Sequence, residues 1–319
     1  MNLTELHKKF NTQKKCIAYL EKLRWKKKVF CPYCNSTNTL KLKAEKRHHC
    51  NNCKNNFSVL INTIFEHTHL PLPLWFQIVF LMVNAKRGAS ARYLMRNVGI
   101  TYKTAWYSAM RVRAGMIDNC HVLQHIVEMD ETYTGGKPRI KYTKNPSSPN
   151  ISKLYNKRGR GTKKTPVVGI VERNGNIILR VIEKLSSKNL MAMLKEYVNT
   201  DDTIVMTDDF KSYNKFDDVV AHLTIAHSKG KYVKGIVHTN TIEGFFSILK
   251  NSIKGNFIAI SKKYLPFYVV GAAYIYNHRN FKGNLFEAFM KDALDHEKQM
   301  EYYKPKGDPK KITSAKCKT

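Results

Sequence analysis

Hydrophobic and polar positions along the chain fall into distinct regimes. Over residues 1–28, Leu3, Leu6, Phe10, Ile17, Leu20 and Leu23 recur at broadly helical spacing, which predicts a short helical lead-in. Residues 29–60 hold too few apolar side chains to form a core of their own. Between 65 and 120 the runs PLWFQIVFLMVNA, SARYLMRNVG and TYKTAWYSAMRVRAGM read as helices. Pro71 and Pro73 mark the start of the first, and a Gly99-Ile100 turn with Thr101 as N-cap sets the other two at helix-turn-helix spacing. From Val122 the pattern changes to strands: IVEMDETYTGG, PVVGIVE and NIILRVI, the last two joined around Asn174-Gly175, a hairpin signal. SSKNLMAMLKEYV then reads as a helix, TIVMTDD as a short buried strand, and HTNTIEGFFSILKNSIKG and KKYLPFYVVGAAYIYNHR as two more helices. Strands with interposed helices predict an α/β domain over 122–290. Inside it, residues 138–165 form a basic Pro/Ser/Gly-containing stretch expected to be a mobile loop, and 300–319 read as a disordered basic tail.

Composition narrows the function classes. With 43% hydrophobic and 11% aromatic residues the chain has ample material for packed cores. Its 55 Lys and Arg against 24 Asp and Glu leave a formal charge of +31, which calls for a polyanionic partner, nucleic acid first among them; the alternative is lysine-rich codon usage alone. The most apolar stretch, Leu70 to Val83, contains Pro71, Pro73 and Gln77 and falls short of a membrane span. The N-terminal MNLTELHKKF is polar, unlike a secretory signal, so a reducing, cytoplasmic setting is expected, with no membrane partner.

Cys31, Cys34, Cys50 and Cys53 follow the spacing C-x2-C-x15-C-x2-C. Two such pairs suit a four-thiolate tetrahedral Zn2+ site, and a closed shell of thiolates makes that zinc structural. His48 and His49 beside the second pair read as solvated basic neighbours, with substitution for a thiolate as the alternative. Cys16, Cys120 and Cys317 have no partner at ligand spacing.

The helix after the Gly99 turn carries Lys103, Thr104, Trp106, Arg111 and Arg113, a mixture of polar, aromatic and basic groups that fits a major groove; a bundle helix with a solvated basic face is the bland alternative. Lys157, Arg158, Arg160, Lys163 and Lys164 of the basic stretch are candidates for backbone phosphates. Carboxylates are scarce, so their placement is informative. Asp130 lies inside an apolar strand, Asp208 ends another and Glu243 opens a helix; three such acids can hold two Mg2+ or Mn2+ ions for in-line phosphodiester displacement. Helix capping is the alternative for Asp208, Asp209 and Glu243. Lys250 lies two helical turns beyond Glu243, on the same face.

MDETYTGGK, VVGIVERNG, TDDFKSY and HTNTIEGFFSILKNSIKG, followed by KKYLPFYVV and YNHRN, resemble the DDE transposases of small prokaryotic insertion sequences that carry an N-terminal zinc ribbon, over roughly residues 20–285. The resemblance implies a ribonuclease H-like mixed sheet flanked by helices, preceded by a zinc ribbon at 29–60 and a small helix-turn-helix-like module. It makes Asp130, Asp208 and Glu243 the catalytic acids, with Lys250 beside them, and favours Asp130 over Glu131 and Asp208 over Asp209, because strand alternation aims one of each pair at the site. His238, Asn240 and Tyr213 match supporting positions. The activity implied is cleavage and joining of double-stranded DNA at transposon ends and target, by a homodimer or higher oligomer in the nucleoid. The rivals are a DNA-binding regulator that has lost its nuclease activity and a structure-specific nuclease or resolvase.

Overall fold

A computed structural model describes residues 1–42, 46–117, 122–135, 164–225 and 237–294. Most of the basic stretch 138–165, with Lys157, Arg158, Arg160 and Lys163, and the tail 300–319 lie outside the described residues. Those described gather into two units, 1–117 with 270–294, and 122–269.

In the first unit, α1 (Leu3–Lys9) opens with a capping box between Asn2 and Glu5, and α2 (Gln13–Trp25) is capped by Thr12. β1 (Thr39–Leu42), β2 (Arg47–Cys50) and β3 (Asn56–Phe57) form an antiparallel sheet in that order. Three helices follow. α3 (Leu72–Val83) begins with proline in its first turn, where the missing N–H costs nothing. α4 (Ala91–Val98) runs from Ser90 to Gly99, whose φ of 72° ends the helix without a Cβ clash. α5 (Tyr102–Gly115) starts at Thr101, whose side chain accepts the Thr104 N–H as the sequence predicts. Phe10, Phe76 and Phe286 meet in the core, with Phe286 supplied by α9 (Leu285–Asp292). No local pattern signals that return of the chain. It is a packing decision, with each buried aromatic side chain contributing roughly 1.5–3 kcal/mol.

The second unit is built on a five-stranded sheet of β4 (Leu123–Thr134), β5 (Thr165–Glu172), β6 (Ile177–Val181), β7 (Val198–Asp208) and β8 (Ala221–Ile225). Its order is β6-β5-β4-β7-β8, with β5 antiparallel to both of its neighbours, β4 and β6, β7 parallel to β4, and β8 parallel to β7. The Asn174-Gly175 turn does join β5 to β6, Asn174 adopting φ 62°. α6 (Ser187–Tyr197) makes the crossover to β7 and packs Leu190 and Leu194 on Val127, Met129, Val168 and Ile170. α7 (Asn240–Ser252) lies against β4 and β5, and α8 (Leu265–Asn277) follows. Alternation along β4 therefore sends Val127 and Met129 into the α6 layer and leaves Glu128 and Asp130 on the other face. Among the described residues no helix is long and apolar enough to cross a membrane.

Candidate functional site

The parallel register of β4 on β7 pairs Glu128 with Met206, and two residues further on this sets Asp130, inside β4, level with Asp208 at the end of β7. Carboxylate oxygens of Asp130, Glu131 and Asp208 lie within 4.8 Å of one another. Strand alternation alone predicts that only one of Asp130 and Glu131 faces the site, and here the structure differs. The Asp130 carboxylate folds back to accept the Glu131 N–H at 2.7 Å, which brings it toward its neighbour. Glu131 is held from the other side by the hydroxyl of the fully buried Tyr213, which donates to Oε2 at 3.0 Å. Tyr213 sits in a 3-10 turn, Lys211–Asp218, and that turn begins where Asp208 accepts the Phe210 N–H at 3.1 Å. The segment TDDFKSY thus delivers one acid and the buttress of another, and Asp209 points to the exposed side.

Burial, then repulsion from Glu131, Asp208 and Glu243, pushes Asp130 up to about 7. Oxygen-only donors under mutual repulsion fit a hard divalent cation such as Mg2+ or Mn2+, which removes that repulsion on binding. Glu243 lies in the first turn of α7, close enough to act on Asp130 electrostatically, and its Oε1 accepts the Thr239 hydroxyl at 3.0 Å. Its oxygens are not part of the 4.8 Å cluster. Lys250, later on α7, is exposed, and so is Lys164 just before β5.

In the ribbon, Cys31 and Cys53 sulfurs are 3.6 Å apart, as are those of Cys34 and Cys50, and all four lie within 4.8 Å. Tetrahedral Zn–S bonds of about 2.3 Å place sulfurs about 3.8 Å apart, so the cluster fits Zn2+, and all four thiols are free. Both knuckles close in the same way: Asn35 and Lys54, at φ 57° and 58°, donate to the carbonyls of Cys31 and Cys50, each at 2.9 Å. His48 is not a solvated neighbour. It is 2% exposed, bonded to Glu21 at 3.1 Å and packed on Trp25 and Phe57, and so fastens the ribbon to α2. His49 bonds Asn56.

The arginines expected on the DNA-reading helix need correcting. Arg111 is 1% exposed and donates to the Glu66 and Thr63 carbonyls at 2.7 and 3.4 Å; Arg113, 4% exposed, donates to the Ala89 carbonyl at 2.9 Å. Both guanidiniums are committed to chain turns and cannot also reach phosphate. Lys103 remains exposed, while Thr104 and Trp106 are half-buried. Arg92, Tyr93, Arg96 and Tyr102 share the exposed side of α4 and the start of α5, with Arg92 over the Tyr102 ring at 5.7 Å. Of these the sequence singles out Tyr102, on the helix after the Gly99 turn, but not Arg92, Tyr93 or Arg96, although the spacing of Leu94 and Val98 marks the opposite, buried side of α4. Arg111→Ala is expected to lower stability by roughly 3 kcal/mol in urea unfolding, since it orphans buried carbonyls, whereas Lys103→Ala leaves the unfolding midpoint in place.

A mixed sheet of this order, flanked by helices and with acids gathered where β4 passes the end of β7, defines a ribonuclease H-like fold. Residues 122–277 match the ISXO2-like transposase domain, and residues 11–56 match the transposase zinc-ribbon domain. The chain thus carries an insertion-sequence DDE transposase domain preceded by a transposase zinc ribbon. It is 27% identical over 253 residues to an uncharacterized protein in transposable element ISH50 of Halobacterium salinarum, an alignment covering 76% of this chain and 84% of that one. Among solved structures, the Mos1 strand transfer complex is matched at 13% identity over 68% of this chain and 78% of that chain, with a TM-score of 0.23. The Mos1 paired-end complex with the left transposon end is matched at 13% identity over 72% and 80%, also at 0.23. Scores that low mean poor superposition, and the fold assignment rests on the sheet order and the family match.

Proposed function

We propose that this transposase binds the terminal repeats of its element and cuts and joins DNA strands there, using Asp130, Asp208 and Glu243 with Mg2+ or Mn2+. The observation that carries this reading is the convergence of Asp130, Glu131 and Asp208 oxygens where β4 passes the end of β7, in a chain of formal charge +31. Divalent metal at such a site supplies activation of an attacking oxygen and stabilisation of the leaving one. The chain's own groups do the remainder. Asp130 and Asp208 offer oxygens on the sheet, Glu243 offers one from α7, and Tyr213 keeps Glu131 turned toward the cluster. Glu131 therefore joins the candidate ligands. Lys250 and the basic stretch hold backbone phosphates, and the ribbon together with the exposed side of α4 and α5 reads the ends. Phosphate contacts on this scale make binding fall steeply with salt. Acting on two ends of one element requires at least two protomers on DNA, and sedimentation of assembled complexes tests this: a single protomer in an active complex rules it out.

The test of the whole reading is a cleavage and joining assay on labelled DNA carrying the gene's own flanks, with Mg2+ or Mn2+. Wild type is expected to give flank-specific 3′ nicks and joined products, and Glu243→Gln to reduce both at least about a hundredfold, the loss of roughly 2.7 kcal/mol of transition-state stabilisation. Binding of the flanks without cutting under either metal would instead favour a regulator, and nicks without joined products a nuclease.

A further inference from the structure

α7, the helix that carries Glu243, has no local side-chain cap. Thr239 occupies the N-cap position but makes no capping bond, and its hydroxyl goes to Glu243 instead. The cap comes from 113 residues away. Glu128, fully buried on β4 two residues before Asp130, accepts the Thr241 and Ile242 N–H groups on Oε2 at 2.8 and 3.0 Å, and the Thr241 hydroxyl on Oε1 at 2.9 Å. A carboxylate with no solvent access is tolerated only when it is paired, and Arg173 pairs it, its Nε donating to Oε1 at 2.7 Å. The same guanidinium donates to the His238 carbonyl at 2.9 Å and to His238 Nδ1 at 3.0 Å, holding the chain as it enters α7.

The space for this arrangement comes from Gly169, which pairs with Asp130 across β4 and β5. A Cβ there would lie 2.6 Å from Ile242 Cδ1 and 3.1 Å from Phe246 Cζ, so α7 approaches the sheet directly opposite the first acid. Ordinary N-caps are local residues worth roughly 1 kcal/mol, and here a nearby threonine could have served. A buried charge drawn from the sheet is a costlier device, and what it adds is registration between the helix and one strand.

From this we infer that Glu128, paired with Arg173, is a positioning residue of the transposase site: it locks the start of α7 to β4 and so sets where Glu243 stands relative to Asp130. The inference rests on the reading of Asp130, Asp208 and Glu243 as the metal-holding acids. Small displacements matter at such sites, and losing a partner that orients a metal ligand commonly costs 10- to 100-fold in metal affinity or activity.

The experiment compares full-length wild type with Glu128→Gln, whose amide keeps the volume but turns one N–H group toward existing donors. Amide hydrogen exchange without metal reads the cap itself, Mn2+ titration reads the site, and cleavage of flank DNA at varied Mg2+ reads the consequence. Exchange at residues 241 and 242 is expected to accelerate at least about tenfold, Mn2+ affinity to fall about tenfold and the half-saturating Mg2+ concentration to rise by a similar factor, with KM for DNA within about twofold of wild type. Unchanged exchange at 241 and 242, or unchanged metal dependence alongside a lowered melting temperature, overturns the proposal and leaves the network a stabiliser. If Glu128→Gln does not fold, Thr241→Val removes one of the four bonds and leaves the ion pair in place. It should raise half-saturating Mg2+ about threefold, and a wild-type value would equally overturn the proposal. Failure of the underlying reading looks different: wild type itself then neither binds Mn2+ nor cuts, while the exchange comparison still reports on the cap.

Discussion

Asp130→Asn is expected to lower strand cleavage and joining by about a thousandfold or more, roughly 4 kcal/mol, while leaving binding to the transposon ends unchanged. The same variant should make the metal-free protein more stable at alkaline pH. Burial and three neighbouring carboxylates push Asp130 up to about 7 in the fold, against an ordinary value of 3.8. Because the folded value is raised, the folded state holds the proton more tightly than the unfolded chain does. Stability from that proton is present at low pH and is lost as pH climbs through about 7. Metal-free wild type should therefore melt a few degrees below Asp130→Asn at pH 8, and the gap should close toward pH 4. Saturating Mg2+ should restore wild type and leave the asparagine variant nearly unaffected. Differential scanning calorimetry with and without EDTA checks all of these outcomes. A wild type that melts above the variant at pH 8 without metal would mean that the carboxylates are not in mutual repulsion.

The second large effect is expected at the ribbon. Cys50→Ala removes one of four sulfurs whose spacing matches a tetrahedral Zn2+ shell. The three strands around that cluster bury little besides Cys31, Cys50, His48 and Phe57, with Trp25 from α2 closing over them. So small a core cannot offset its own ordering entropy, and metal ligation supplies the difference, about 10–16 kcal/mol in isolated zinc-finger peptides. Zinc measured on the purified protein should fall from one ion per chain to none, dispersed NMR signals from residues 29–60 should collapse, and affinity for the ends should drop at least tenfold. The 122–269 unit has its own core and should keep its exchange protection. Cys16→Ala is the control: its thiol is buried against the Phe10 carbonyl, away from the cluster, so zinc content should stay at one. Retention of a full ion by Cys50→Ala would remove the four-thiolate assignment.

Much of this molecule is written in short-range signals. Caps at Thr12, Ser90 and Thr101, the stop at Gly99, the Asn174-Gly175 hairpin and the twin knuckles of the ribbon each depend on side chains a few residues from the backbone they shape. Periods of 3.6 and 2 then separate helices from strands and place Asp130 inside a strand, Asp208 at the end of another and Glu243 at the start of a helix. The errors share a cause as well. Arg111 and Arg113 look like phosphate contacts on a basic helix, and only the fold reveals carbonyls at residues 63, 66 and 89 waiting for their donors. Alternation by itself disqualifies Glu131, but a hydroxyl 82 residues further along the chain holds it at the cluster.

By itself, then, the sequence determined the zinc ligands, the kinds of elements and the acids worth watching, because each is set by spacing along the chain. The tertiary structure alone decided which acids meet, which arginines are spent on packing, and that a glutamate on β4 caps the helix that carries Glu243. Those outcomes depend on strand register and on burial. A carboxylate's role changes completely with the donors it meets across a hundred residues of chain, and no local pattern encodes that meeting.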